Sequence, residues 1–165
     1  MARQAFYSFH YKPDNWRASQ VRTMGLLEGN KPAADNDWET IEKGGDKAIQ
    51  EWIDNQMKGR SVLIVLIGEN TAGRKWINYE IIKAWNDKKG VLGIHIHNLK
   101  DSKNNQCNKG SNPFTNIKVG DKPLDEIVKT YDPSYTTSTY VYSHIKENLS
   151  DWIETAIEIR NKYKQ

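Results

Sequence analysis

Trp76 and Glu80 lie four residues apart in the stretch Trp76-Ile77-Asn78-Tyr79-Glu80. On a helix that spacing stacks an aromatic plane and a carboxylate on one face. A fixed carboxylate can stabilise developing positive charge or orient hydroxyl groups, and an aromatic face can pack on a ring. The ordinary reading is plainer: most helical Glu residues face water, and most Trp residues are core. Two details favour a site. Position 84, where an i+4 cation would stand, is Ala, which leaves Lys83 as a lesser i+3 partner for Glu80. The helix also follows directly on a buried strand, so its first turns lie at the edge where open α/β sheets bind ligands.

Three further candidates sit near the start of the chain. Phe6, Ser8 and His10 share one parity of an aromatic strand, so if Phe6 faces a site the other two follow at the strand's end. Ser8 and His10 are two residues apart with no evident acid partner, which is poor support for a nucleophilic triad. Ser8 is read as a hydrogen-bond donor to substrate or to the next loop. His10 is read equally as a site residue and as a satisfied structural histidine. Asp37, in the cluster Asp35-Asn36-Asp37-Trp38-Glu39, is a substrate-contact candidate in a loop whose composition supplies Asp by default. His95 and His97 alternate on a strand with no matching carboxylate, so no metal is assigned to them. No Gly-rich dinucleotide fingerprint or phosphate loop is present.

The elements that must position these residues are legible in outline. Ser61 to Gly68 is an unbroken apolar run, rich in β-branched residues and closed by Gly, which predicts a strand covered on both faces. A helix follows from about Arg74 to Asp87, with Ile77, Ile81 and Trp85 as its apolar stripe. Ala5–Tyr11 reads as the first strand, Lys12–Asn15 as a turn, and Trp16–Met24 as a helix. Gly25–Gly29 reads as a short strand and Asn30–Lys43 as a long polar loop. Asp46 opens a helix with Ile49, Ile53 and Met57 inward. Gly90–His97 is another strand, and Leu124–Lys129 a helical turn. Thr136–Tyr142 reads as a last strand, and residues 143–164 as an amphipathic C-terminal helix. Residues 98–135 form a variable, loop-rich region, with Leu99–Lys122 expected to be exposed. Strands alternating with helices predict an α/β fold: a flavodoxin-like, three-layer domain with a mainly parallel central sheet. Residues 1–165 are read as one such domain.

Composition narrows the function classes. The chain has 165 residues, 27 % charged and 37 % hydrophobic, with a formal net charge of +3. The basic residues are interspersed with acidic ones and form no stripe, which argues against nucleic acid. Cys107 is the only cysteine, so there is no intrachain disulfide, and it has no neighbouring His or Cys for zinc. No apolar signal region or membrane-length run is seen, so a cytoplasmic setting without membrane is expected.

The order of motifs resembles a known family. Ala5-Phe6-Tyr7-Ser8-Phe9 is similar to the first-strand signature of Toll/interleukin-1 receptor (TIR) domains. Trp76 to Glu80 resembles the Trp-x-x-x-Glu element of their NAD-consuming members. With Glu28-Gly29-Asn30-Lys31-Pro32 and Asp35 to Glu39 between them, the set most resembles the bacterial TIR-like proteins of the Thoeris anti-phage defence system. The resemblance covers residues 3 to 97 and the C-terminal helix. The first strand lacks an acidic residue at its start, and the loop after the second strand lacks an Arg-Asp-Pro run, so receptor-adaptor assembly is not implied.

What the resemblance implies is a signalling enzyme. It would cleave the nicotinamide–ribose bond of NAD and cyclise the product to a cyclic ADP-ribose isomer that activates a separate effector. NAD would be a substrate, with no cofactor and no metal, and self-assembly would be compatible. Nicotinamide leaves as a neutral group, so no general acid is required. One carboxylate near the oxocarbenium ion suffices, and Glu80 is the catalytic candidate. Trp76 would pack on the ribose or a base, and Phe6 would offer a face to an aromatic ring. Cyclisation requires exclusion of water, for which Asn30–Lys43 is the expected cover. Two other readings stay open: a non-enzymatic TIR-like interaction module, and a nucleoside deoxyribosyltransferase-like enzyme. Release of nicotinamide separates the first from the enzyme, and deoxynucleoside base exchange tests the second.

Overall fold

Six consecutive apolar residues, Val62–Ile67, form strand β2 and are all fully buried. A strand has two faces, and both must be covered when every residue is apolar. Val62, Ile64 and Leu66 enter one core, while Leu63, Val65 and Ile67 enter the other. Each such side chain contributes about 1.5–3 kcal/mol of burial free energy. The computed structural model describes residues 4–24 and 43–163.

In chain order the elements are β1 (Ala5–Ser8), α1 (Tyr11–Arg22), α2 (Asp46–Met57), β2, α3 (Lys75–Asn86), β3 (Gly90–His95), β4 (Lys118–Val119), β5 (Lys122–Pro123), a 3-10 turn (Leu124–Glu126), β6 (Lys129–Tyr131) and α4 (Ser138–Lys162). Among the described residues the main sheet has the order β1-β2-β3-β6 and every pairing in it is parallel. Ser8 stands beside Val65, Ile67 beside His95, and Ile94 beside Tyr131. Helices α1 and α4 cover one face through Ala18, Val21, Val141, Ile145, Leu149 and Ile153. Helices α2 and α3 cover the other through Ile49, Ile53, Met57, Ile77, Ile81 and Trp85. The expected three-layer α/β architecture, with the Ser61–Ile67 run in its interior, is therefore present. Among the described residues no helix is long and apolar enough to cross a membrane.

Several local expectations are corrected. Lys12–Asn15 is not a turn but the start of α1. Pro13 lies in the first turn, where its missing N–H has no helical acceptor to lose. Asp14, in the same stretch, is buried and paired with Arg17 at 3.1 Å. Thr136–Tyr142 is not a strand, because α4 begins at Ser138 and so starts earlier than residue 143. Its β-branched and aromatic residues suggest a strand, but Val141 and Ile145 are one turn apart and both enter the core, so packing decides. The last sheet strand is instead β6, only three residues long. The helical turn expected over Leu124–Lys129 is reduced to three residues.

The region Leu99–Lys122 is not uniformly exposed. Leu99, Gly110, Pro113 and Phe114 are buried. Phe114 lies over β3 at Gly93, where a Cβ would come within 2.9 Å of both Phe114 and Ile67. Only glycine leaves room for that ring. Gly25–Gly29 and the greater part of Asn30–Lys43 lie outside the described residues.

Candidate functional site

The site forms where β1 and β2 end and α1 and α3 begin. After β2, the Gly68 N–H donates to Thr71 Oγ1 at 2.8 Å, and Thr71 is fully buried. Gly73 then adopts a φ of 84°, a left-handed conformation natural to glycine. The chain turns there and enters α3 with Arg74 as N-cap. Trp76 stands in its first turn, and Glu80 one turn further.

Glu80 is 6 % exposed, although it is a carboxylate. Burying a charge is costly unless hydrogen bonds replace water. Ser8 supplies one: its Oγ donates to Glu80 Oε1 at 2.6 Å. The strand parity shared with Phe6 places Ser8 on the α3 side of the sheet, and the end of β1 meets the second turn of α3 there. Of the two partners expected for Ser8, substrate or the next loop, neither is Glu80, the residue its hydroxyl meets here. Lys83, the anticipated i+3 partner of Glu80, is paired with Asp87 at 2.9 Å.

Helix α2 braces the first turns of α3. Tyr79 Oη donates to Asp54 Oδ1 at 2.8 Å, and Lys75 Nζ meets Asp46 at 2.5 Å. Burial and the bond to Asp54 push the Tyr79 hydroxyl up to about 12, so it stays a donor. The Tyr79 ring stands edge-on to Trp76 with centroids 5.6 Å apart, and Lys75 Nζ lies 4.9 Å from the Trp76 ring. The half-buried Trp76 indole is thus held from two sides.

Phe6, His10, Trp76 and Glu80 all line one cavity of about 610 Å³. That volume lies in the range of small-molecule sites. Four of the sequence candidates are brought together there, and Ser8 stands behind Glu80. Asp37 lies outside the described residues. His10 is the N-cap of α1, and its side chain makes no capping bond. Burial, then the positive charges of Arg74 and Lys12, hold His10 below the usual histidine range, so it is neutral at pH 7. Its Nδ1 is buried without a hydrogen-bond partner.

Lys12, Trp52 and Arg74 also line the cavity, and sequence reasoning missed all three. Lys12 was masked by the expectation of a turn, and Trp52 by its place on an apolar helix stripe. Arg74 carried one usable signal: it immediately precedes the helix that bears Trp76. His95 and His97 lie elsewhere, at the end of β3, and are buried with their rings 5.8 Å apart.

A carboxylate and an indole line one cavity, with a strand-end hydroxyl bonded to the carboxylate, a chemistry suited to a cationic or ring-bearing ligand. The family described as "Thoeris protein ThsB, TIR-like domain" matches residues 6–101, which span β1 through the end of β3 and so the whole of this site. A relative from Bacillus cereus (strain MSX-D12), named "Putative cyclic ADP-D-ribose synthase ThsB1", is 37 % identical over 119 residues. That match covers 69 % of this chain and 62 % of the relative. With more than half of its length matched, and with the matched segment carrying both Ser8 and the Trp76–Glu80 pair, the chain belongs to the Thoeris ThsB family of TIR-like domains.

Proposed function

We propose that this chain is an NAD-consuming enzyme of anti-phage defence, which breaks the nicotinamide–ribose bond and closes the remainder into a cyclic ADP-ribose isomer. The observation that carries the proposal is Glu80, buried at the wall of the cavity beside Trp76 and held by Ser8. The name of the Bacillus cereus relative supports the same reaction.

In this reading the C1′–N bond breaks and its electron pair leaves with nicotinamide, which becomes neutral. Positive charge passes to the ribose ring. Glu80 faces that charge in a site of low dielectric, where a fixed carboxylate acts more strongly than in water. Trp76 packs on the sugar or base, and Phe6 forms the floor. A nucleophile within the same ADP-ribose then attacks C1′, releasing a proton; attack by water gives ADP-ribose instead. NAD is the substrate, no cofactor takes part, and the cyclic product activates a separate effector.

The test is purified protein with NAD under activating conditions, with nicotinamide release and product mass as readouts. A cyclic product is lighter than ADP-ribose by one water. Glu80→Gln keeps the Ser8 contact but loses the charge, so turnover should fall by about 10²–10³, with the melting temperature little changed. Near-wild-type turnover in that variant would remove Glu80 from the mechanism. No nicotinamide from wild type, with and without a phage-derived trigger, would favour an interaction module.

A further inference from the structure

The cavity has a second chemical character besides the carboxylate and rings. Two helices begin at it. Residues 10–12 at the start of α1 line it, and so do residues 74–77 at the start of α3. The first N–H groups of a helix have no acceptor within it, and each helix start carries about half a positive charge. Neither N-cap here supplies a side-chain acceptor. The first turn of α3 holds no acidic residue, and the one in α1, Asp14, is buried against Arg17.

Two cationic side chains stand at these same helix starts. Lys12 and Arg74 are exposed, line the cavity, and meet no carboxylate among the described residues. Both share the cavity wall with His10, and their charges help to hold it below the usual histidine range. Lys75 differs, because its ammonium is engaged by Asp46 and the Trp76 ring. Cations that converge without partners leave an electrostatic demand for an anion.

Arg74 and Glu80 are six residues apart on α3, or about 9 Å along its axis at ~1.5 Å per residue. Trp76 lies between them. In a pyridine dinucleotide, the ribose bearing the scissile bond at C1′ carries its phosphate on C5′. A carboxylate at C1′, an indole along the sugar and a guanidinium at the phosphate follow the order Glu80, Trp76, Arg74.

We infer that Lys12 and Arg74, with the starts of α1 and α3, bind the diphosphate bridge of the dinucleotide; the inference rests on the NAD reading above. Arg74 grips phosphate oxygens through its planar fork. Lys12 adds a point charge from the opposite helix. His10, neutral, offers one ring N–H without adding charge. The subsite fixes the register of the sugar against Glu80, and it selects dinucleotides over uncharged nucleosides.

Calorimetry on the full chain tests this without turnover. The ligands are ADP-ribose, inorganic pyrophosphate and adenosine. Wild type should bind ADP-ribose, with pyrophosphate competing and adenosine not competing. Lys12→Gln and Arg74→Gln should each weaken ADP-ribose about tenfold. The double variant should also flatten the salt dependence, whereas Arg74→Lys should retain part of the affinity. Both side chains are exposed, so thermal melts should match wild type. Equal ADP-ribose affinity in wild type and double variant would overturn the subsite, as would adenosine competing as well as pyrophosphate. Nicotinamide release is read separately in the same preparations. Binding through these residues without release overturns the cleavage reading alone. Release with an unaltered KM for NAD in the double variant overturns the subsite alone.

Discussion

The Ser8 hydroxyl reaches Glu80 across a separation of 72 residues in the chain. In the proposed reaction it acts through Glu80, so it is a positioning residue. Ser8→Ala leaves the buried carboxylate short of one donor, which costs about 1–3 kcal/mol of stability. With the carboxylate free to turn, kcat should fall by about tenfold or more while KM for NAD changes little. Ser8→Thr keeps the hydroxyl and should restore most of the rate. A Ser8→Ala variant with wild-type kcat would show that the bond is structural only. His95 makes a different prediction. Burial, the largest cause, lowers it from 6.5 to about 4, against a smaller upward pull from Asp132. The unfolded chain therefore holds more protons than the folded one between about pH 6.5 and about pH 4. Stability from this residue is complete above that window and falls as pH drops through it, by up to ~1.4 kcal/mol per unit. Melting temperatures measured from pH 7 to pH 4.5 should show the loss, and His95→Asn should reduce the slope.

Among the connecting elements, the long region after β3 is held to α1 by Arg17 and Gln20, the latter donating to the Lys100 carbonyl at 2.7 Å. Arg17 donates from Nε to the Leu99 carbonyl at 2.8 Å and from Nη2 to the Asn105 carbonyl at 2.8 Å, and it also pairs with Asp14. Asp14 is 1 % exposed, and burial raises its carboxyl above the usual range despite Arg17. Its carboxylate packs directly against Gly68, the residue that begins the loop into α3, and Gly110 packs against the carbonyl of that same Gly68. Arg17→Met would strip the partner from a buried carboxylate, at a cost of about 3–5 kcal/mol. The expected result is a lowered melting temperature together with faster amide exchange over residues 99–105. Melting without the local exchange change would mean that Arg17 supports only the core. None of this was legible beforehand. The apolar run of β2 and the stripe of α3 announce themselves because periodicity and burial coincide there. Leu99 and Phe114 are single apolar residues in polar surroundings, and only the tertiary structure brings them inside. Trp76 and Glu80 could be paired because helical spacing places them together. The contact between Glu80 and Ser8 follows from sheet and helix packing, which no local spacing encodes.

Taken as one body, the protein builds its cavity from the carboxyl ends of two adjacent parallel strands, β1 and β2, and from the helices that follow them. Parallel neighbours cannot be joined by a tight turn, so all of these contacts are long-range in sequence. Ala5 finds its partner only when Val62 has been made. Contacts of high sequence separation form late and slowly, because loop closure precedes their reward. Under the proposed reaction, a half-formed chain that consumed NAD would be hazardous to its host. Here Glu80 acquires its donor, and the cavity its far wall, only once β1 has docked on β2. Catalytic competence then becomes a reading of the finished sheet. In a urea titration, nicotinamide release should vanish in the same transition as tryptophan fluorescence, with no active intermediate. Activity surviving past the fluorescence transition would separate the two. An order of assembly imposed by topology alone would thus keep a nascent chain silent until it is whole.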